Sequence, residues 1–429
     1  MEVAVSTSPA DGPYRSAAAL LSQYQDVRRA TEHLCQPLAI EDYILQAMAD
    51  VSPTRWHLAH VSWFFETFLL KPHLPGYESP HPKYEFLFNS YYNAVGPQYY
   101  RPHRGLISRP TVAEVYDYRA HVDQGMVSLL EVSDENKLRE LEPTLILGLN
   151  HEQQHQELII TDIKYNLAIN PLRPAYHNRP IPRGTATPPL RWMDFQGGIH
   201  RIGYEGTEFA FDNEGPRHEA LLRPFRIASR LVTNGEFMEF MAAGGYGIPT
   251  LWLSDGWTTV KAEGWDAPLY WEKVDGTWWV QTMSGMQPVD EHAPVAHVSY
   301  YEADAYAHWK GKRLPTEQEW ERSAETEPLQ GTFMESGVYH PLPAPGNGGL
   351  EQLYGDVWEW TQSPYSAYPG FKPTPGAVGE YNGKFMVNQM VLRGGSCATP
   401  RSHLRTTYRN FFPPHARWQF MGFRLAEDA

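Results

Sequence analysis

Cysteine is scarce in these 429 residues: Cys35 and Cys397 are the only two. That excludes a disulfide framework and a thiolate cage for a metal, so any metal must be held by histidine or carboxylate. Positive charge is also in short supply. Lys and Arg total 36 against 50 Asp and Glu, a formal net charge of -14, and no block of like charge stands out. Long-range attraction to nucleic acid is therefore not expected. Apolar runs such as Leu145–Leu149 are far too short to cross a bilayer, so no membrane partner is expected either. The first residues, Met1 to Pro13, lack the basic start and apolar core of a secretory signal. They read as a frayed tail, and a cytoplasmic location is expected.

What the sequence does contain is an ordinary globular balance, 42% apolar and 20% charged, with 14 Trp and 25 Tyr. Such a length exceeds what one hydrophobic core usually serves, so two domains are expected. Residues from about Ser16 to Ala168 read as helical, with periodic apolar positions in Ala17–His33, Asp42–Met48, Trp56–Leu70, Val112–Val132 and Thr144–Leu167. Ser52 and Pro53 look like an N-cap and first residue for the Trp56 helix, and Pro143 like the start of the last one. The Lys71–Pro110 stretch between helices is long, and long stretches inside compact domains are more often functional than idle. Six prolines between Asn170 and Pro189 mark an extended linker. Beyond it, short segments punctuated by Gly pairs indicate strands and loops, with helices at Asn234–Met241 and Tyr301–Lys310. The expected fold class is α+β, divided into a bundle at 14–170, a linker at 171–190 and a loop-rich domain at 191–429.

The chemistry concentrates in Asn150-His151-Glu152-Gln153-Gln154-His155-Gln156-Glu157. Histidines at i and i+4 lie one above the other on a helix face, so both rings can meet one ion. His60 offers a third nitrogen from the Trp56 helix, and three neutral imidazoles leave up to three positions of an octahedral ion open. His57, three residues earlier, competes for that role, and spacing does not choose between them. Without the metal role, His57 reads as a solvated or helix-capping side chain. The same segment spells H-E-x-x-H, the zinc-protease pattern with Glu152 as base. Leu158 and Thr161 stand where one protease class needs Gly and His. The proline-broken stretch after the helix lacks the acidic ligand that another class needs. A zinc hydrolase and a non-catalytic ligand-binding module remain the alternatives to a redox metal enzyme.

Leu58-Ala59-His60 followed by His151-Glu152-Gln153-Gln154-His155 resembles the DinB-like bundle of the ergothioneine-biosynthetic sulfoxide synthases. The second half resembles the formylglycine-generating-enzyme fold, a C-type-lectin-like module. Its marks are Gly197-Gly198-Ile199-His200-Arg201-Ile202-Gly203, Gly311-Lys312-Arg313-Leu314-Pro315-Thr316-Glu317, Gly355-Asp356-Val357-Trp358-Glu359-Trp360, Arg393-Gly394-Gly395-Ser396 and Gly422-Phe423-Arg424. The resemblance runs from about Tyr14 onward. It implies that His60, rather than His57, joins His151 and His155 in binding Fe(II). It also implies hercynine, a thiol and O2 as substrates.

The resemblance further implies that Gln154 hydrogen-bonds a substrate imidazole and that Asn410 and Phe411 line the hercynine side. Aromatic surface suits a trimethylammonium by cation–π attraction. Tyr91 and Tyr92, in the long inter-helix stretch, are the candidate proton donors. Tyr365 and Tyr368 are weaker candidates from the second domain, the part of the chain that supplies a catalytic tyrosine in one branch of the family. Relatives that use γ-glutamylcysteine carry Asp and Arg where this chain has Phe412 and Ala416, so free cysteine is the expected thiol. Arg101 and Arg104 are candidates for its carboxylate. The namesake enzymes of the second domain use a cysteine pair; Cys397 alone argues against formylglycine formation and reads as a small buried hydrophobe.

Overall fold

A computed structural model describes residues 15–429; the Met1 to Pro13 segment and the Tyr14 boundary lie outside the described residues. Four helices make the first half: α1 (Ala17–Cys35), α2 (Thr54–Phe65), α5 (Val112–Val132) and α6 (Glu135–Ala168). Short helices α3 (Lys71–His73) and α4 (Tyr84–Phe88) lie between α2 and α5. A π-turn at Glu66–Leu70 joins α2 to α3. Helix α2 packs on both α5 and α6, while α1 closes the bundle against α6. All twelve residues of α2 are buried, so this helix is the centre of the bundle rather than one of its walls.

Gly148 explains how closely α2 and α6 approach. A Cβ there would come within 2.6 Å of the Phe65 ring and 2.8 Å of the Phe64 ring. The glycine sits one turn before His151, so the crossing that it permits brings the histidines of the two helices together.

Three local expectations are corrected. Asp42–Met48 is not a helix; only a 3-10 turn at Ile40–Ile44 forms, because Gln46 and Ala47 are instead tied to Arg101, Val51 and Asn166. Ser52 does not cap α2. Pro53 takes the cap position, and the Ser52 amide donates to Asp162 Oδ2 at 2.8 Å. Pro143 does not start the last helix, which begins at Glu135 with Asp134 accepting from the Lys137 amide. Leu138, Leu141 and Leu145 form a continuous buried stripe across the proline. That burial outweighs the single backbone bond that Pro143 removes.

Residues 170–191 contain no helix or strand, and Tyr176 anchors them to the bundle by donating to the Leu34 carbonyl. The second half is built from four small sheets. The first is β1 (Trp192–Phe195), β4 (Phe225–Ala228) and β12 (Ala426–Asp428), ordered β1-β4-β12. Strands β2 (Gly198–Ile202) and β3 (His218–Leu222) pair with each other, as do β5 (Trp271–Val274), β6 (Thr277–Thr282) and β7 (Gly285–Pro288) in sequence. The fourth sheet, ordered β10-β9-β8-β11, combines β8 (Trp358–Pro364), β9 (Met390–Arg393), β10 (Asn410–Phe412) and β11 (Met421–Gly422). Helices α7 (Asn234–Ala242) and α9 (Tyr300–Trp309) fall close to the expected places. Helices α8 (Ser254–Glu263) and α10 (Glu317–Ala324) were not anticipated.

The recurrent motifs of this half are ion-pair sockets. Arg424 pairs with Glu359 at 2.5 Å, Arg409 with Glu317 at 2.8 Å, and Arg393 with Glu321, all six residues being buried. Each charge is held by a partner from a distant stretch, so removing one member would leave a buried charge uncompensated.

The two halves meet along α6. Glu157 accepts from Trp358 Nε1 at 2.7 Å, Ser396 Oγ at 2.7 Å and Thr399 Oγ1 at 2.9 Å. One turn further, Thr161 accepts from Gln419, and Lys164 Nζ lies 2.7 Å from His297 Nε2. Burial pushes the Lys164 amine down to about 7. Among the described residues no helix is long and apolar enough to cross a membrane.

Candidate metal centre

His60 on α2 and His151 and His155 on α6 are buried and bring one ligand atom each within 4.8 Å of one another. His60 Nε2 and His151 Nε2 are 3.2 Å apart. Nitrogens bound side by side at about 2.1 Å from one ion stand about 3 Å from each other, so the spacing fits a shared metal. Burial, reinforced by the His151 ring, holds His60 well below the usual imidazole range, and burial takes His151 to about 3. His155 is lowered for the same reason, burial first and His151 next. All three therefore stand neutral, the form that binds a metal.

The neighbours of each ring decide which nitrogen is free. His60 Nδ1 donates to the Phe88 carbonyl at 2.5 Å, leaving the Nε2 lone pair inward. Its ring is stacked between Trp56 at 4.6 Å and Trp63 at 5.6 Å. His57 is buried rather than solvated or capping, which corrects the expectation from spacing. Its Nε2 faces Asp162 Oδ2 at 3.0 Å and its Nδ1 faces His155 Nδ1 at 2.8 Å. The Asp162 carboxylate accepts a hydrogen bond from His57 Nε2–H, so His57 Nδ1 accepts from His155 Nδ1–H and His155 Nε2 is left free. Asp162 and His57 thus fix the tautomer of His155, as outer partners of metal-bound histidines do. His151 Nδ1 is buried with no hydrogen-bond partner among the described residues. The donor set is three imidazoles, a set that suits iron, copper, nickel or zinc.

Replacing His57 with alanine should weaken metal binding by about 10–100-fold without abolishing it, because only the orientation of His155 is lost. A metal titration by calorimetry would check this; complete loss would make His57 a ligand, and an unchanged affinity would remove its orienting role.

Glu152 lies between the two α6 histidines in sequence but points to the opposite side. It accepts from Arg28 at 3.0 Å, Arg119 at 2.7 Å and Thr31 at 2.7 Å, fully buried. Burial alone would raise its carboxyl; Arg119 and Arg28 overcome this and hold it at about 2. A carboxylate committed to two guanidiniums is no general base, which removes the basis for a zinc hydrolase.

Gln154 faces the second domain: its Nε2 donates to Tyr408 Oη at 2.6 Å, and its Oε1 accepts from the Tyr381 hydroxyl. Tyr381 was not anticipated. It lies outside any recognisable motif, yet its ring meets His151 edge-on at 5.6 Å and Tyr91 at 6.2 Å. Tyr91 stacks on Tyr92 at 5.2 Å, and the buried Tyr92 hydroxyl has no partner among the described residues. Burial pushes the Tyr91 phenol up to about 12 and raises Tyr92 and Tyr381 well above the usual phenol range. All three hold their protons at neutral pH.

The remaining candidates are distributed around this core. Phe411 stacks on Tyr365 at 4.0 Å and reaches Tyr91 through Phe385, at 6.0 and 5.3 Å. Asn410 accepts from the Phe411 amide, and Phe412 packs edge-on against Trp418 at 5.7 Å. Tyr365 is held by Asn213 and Tyr368 donates to Glu317, so neither approaches the histidines through these bonds. Arg104 is buried over the Trp56 ring at 3.4 Å and donates to Ser52 and Ser90. Arg101 is exposed and donates to the Asp50 carbonyl. Cys397 is buried and unpaired.

Two family models match this architecture: the DinB superfamily over residues 23–159, and the sulfatase-modifying factor enzyme 1-like domain over 193–339 and 338–429. A hercynine oxygenase of Mycolicibacterium thermoresistibile is 32% identical, over 97% of this chain and 96% of the relative. A hercynine oxygenase of Mycobacterium tuberculosis is also 32% identical, over 88% of this chain and 91% of the relative. A formylglycine-generating enzyme of Thermomonospora curvata is 31% identical over 54% of this chain and 91% of the relative, matching a part only. With near-complete coverage by such relatives and both domain models matched in order, the chain belongs to the hercynine oxygenase family and is an oxygenase.

Proposed function

We propose that the chain is an Fe(II)- and O2-dependent sulfoxide synthase that joins hercynine to a thiol in ergothioneine biosynthesis, with free cysteine preferred over γ-glutamylcysteine. The observation that carries this reading is the convergence of three neutral imidazoles, with no carboxylate in their group among the described residues, beside protonated phenols. His60, His151 and His155 would hold the iron, which supplies open positions and electrons for O2 activation.

The overall balance is one imidazole C–H, one S–H and O2 giving a C–S-linked sulfoxide and water. The protein must hold both substrates and manage two protons. Gln154 presents an amide between Tyr381 and Tyr408, placed to hydrogen-bond a substrate imidazole nitrogen. Tyr381 is the phenol nearest a ligand ring, and Tyr91 and Tyr92 extend a protonated aromatic layer behind it. Any of the three can donate a proton, and their packing excludes water. Phe411, Tyr365 and Phe385 give the aromatic surface that attracts a trimethylammonium.

For the thiol, Phe412 and the buried Ala416 provide no charge to pair with a glutamyl head group. The cysteine carboxylate falls to Arg104, whose Nε has no partner among the described residues, rather than to Arg101. Fe(II)-loaded protein given hercynine, O2 and equal concentrations of the two thiols should yield a cysteine-bearing imidazole sulfoxide. Preferential consumption of γ-glutamylcysteine would overturn the thiol choice, and absence of any sulfur-bearing imidazole product would overturn the reaction.

A further inference from the structure

The three histidines are nearly covered, with His155 keeping 6% exposure. His60 and His151 are fully buried, and the side chain lying over His151 from the second domain is Tyr381. On the His151 side, a small molecule approaching the histidines therefore meets Tyr381. Tyr381 sits in a strap, residues 370–388, that contains only two short 3-10 turns, Ala377–Glu380 and Gly383–Phe385. Gly376 before the turns and Asn388 after them adopt positive φ of 81° and 53°.

Besides the Tyr381–Gln154 bond, one acidic and one basic side chain fasten this strap to the bundle. Glu380 Oε1 accepts from the Ala94 amide at 2.7 Å and Oε2 from the Asn93 amide at 3.1 Å. Lys384 donates to Glu380 at 3.0 Å and to the Tyr91 carbonyl, and lies over the Tyr91 ring at 5.4 Å. On its other flank, Asn382 donates to Asp212 at 2.7 Å, next to the Phe211 ring that stacks on Tyr381 at 5.6 Å. The segment clamped by Glu380 is the one that carries Tyr91 and Tyr92. One contact therefore sets the position of phenols from both domains.

We infer that Glu380 and Lys384 form an inter-domain latch that holds the strap closed over the metal centre and positions Tyr381 against Tyr91. The latch is only partly buried, with side-chain exposures of 21% and 29%, so it can release without unfolding either domain. Both are positioning residues: neither makes a hydrogen bond to a histidine of the centre. In the closed arrangement Tyr381 and Gln154 are bonded to each other; in the open one both are released to meet a substrate.

The test uses the full chain with Glu380→Ala, Glu380→Gln and Lys384→Met, and two readouts that need no turnover. Amide hydrogen exchange should accelerate by about ten-fold in residues 377–388 and 89–96 of Glu380→Ala, with α6 unchanged and the melting temperature preserved. Release of bound Fe(II) to a chelator should accelerate in parallel. Glu380→Gln, which keeps an acceptor for one amide, should fall between wild type and Glu380→Ala. Unchanged exchange in the strap overturns the latch, and so does acceleration spread over the whole chain. The release readout rests on the proposed metal; if the wild-type chain binds no iron, that proposal fails while the exchange readout still decides the latch.

Discussion

His151→Ala is expected to lose ferrous iron almost completely while keeping its helical content. In the proposed site His151 is one of three nitrogens among the described residues, and the remaining pair, on different helices, cannot close a stable site. The loss should exceed the about 10–100-fold that an outer partner contributes, which separates it from the His57 variant. Folding should survive because α6 is held by Leu138, Leu141, Leu145 and Leu149 against the bundle and by Glu157 against the second domain. His155→Ala should behave alike. Metal analysis after anaerobic loading, paired with far-ultraviolet circular dichroism, reads both quantities. A variant that still carries one iron per chain would show that the three rings do not share an ion.

The largest expected effect on stability lies at the residue next to His151, whose side chain faces away from the metal site. Glu152→Gln leaves Arg28 and Arg119 facing a neutral amide in a fully buried pocket, a change that costs about 3–5 kcal/mol. The wild-type protein should also show a defined acid dependence. Because Glu152 is held at about 2, below its ordinary value of 4.5, its contribution is complete above pH 4.5 and is lost as pH falls toward 2. A difference of that size corresponds to about 3 kcal/mol. Denaturant unfolding between pH 7 and pH 3 should show the wild type losing stability in that window and the variant starting low and changing less. A variant within about 1 kcal/mol of wild type at pH 7 would mean that the arginines find other partners.

Much of this arrangement was legible in residue order. The i,i+4 histidine pair, the change of texture after Asn170 and the motif order led to an α+β chain with a helical first half, as observed. What stayed hidden was contact between distant segments. His57 looked idle because its meaning depends on Asp162, 105 residues away, although Asp162 lies seven positions after His155 and so on the same helix face. Tyr381 left no trace, since a loop residue acquires its place from the strap's attachments rather than from any periodicity. Glu152 carried a misleading motif: its pattern specified a base, while the bundle turned it toward two arginines. Pro143 misled for a related reason, since long-range burial decided the helix start against local preference.

Helix α6 carries His151 and His155 on one side and Glu157, Thr161 and Lys164 on the side that meets the second domain. One rigid rod about 50 Å long thus reports to both places. Thermodynamic reciprocity would then govern a metal bound at these histidines: by whatever factor it tightens the seating of one domain on the other, that seating tightens the hold on it. A substitution at the far end of the rod is in this sense also a substitution in the metal's affinity.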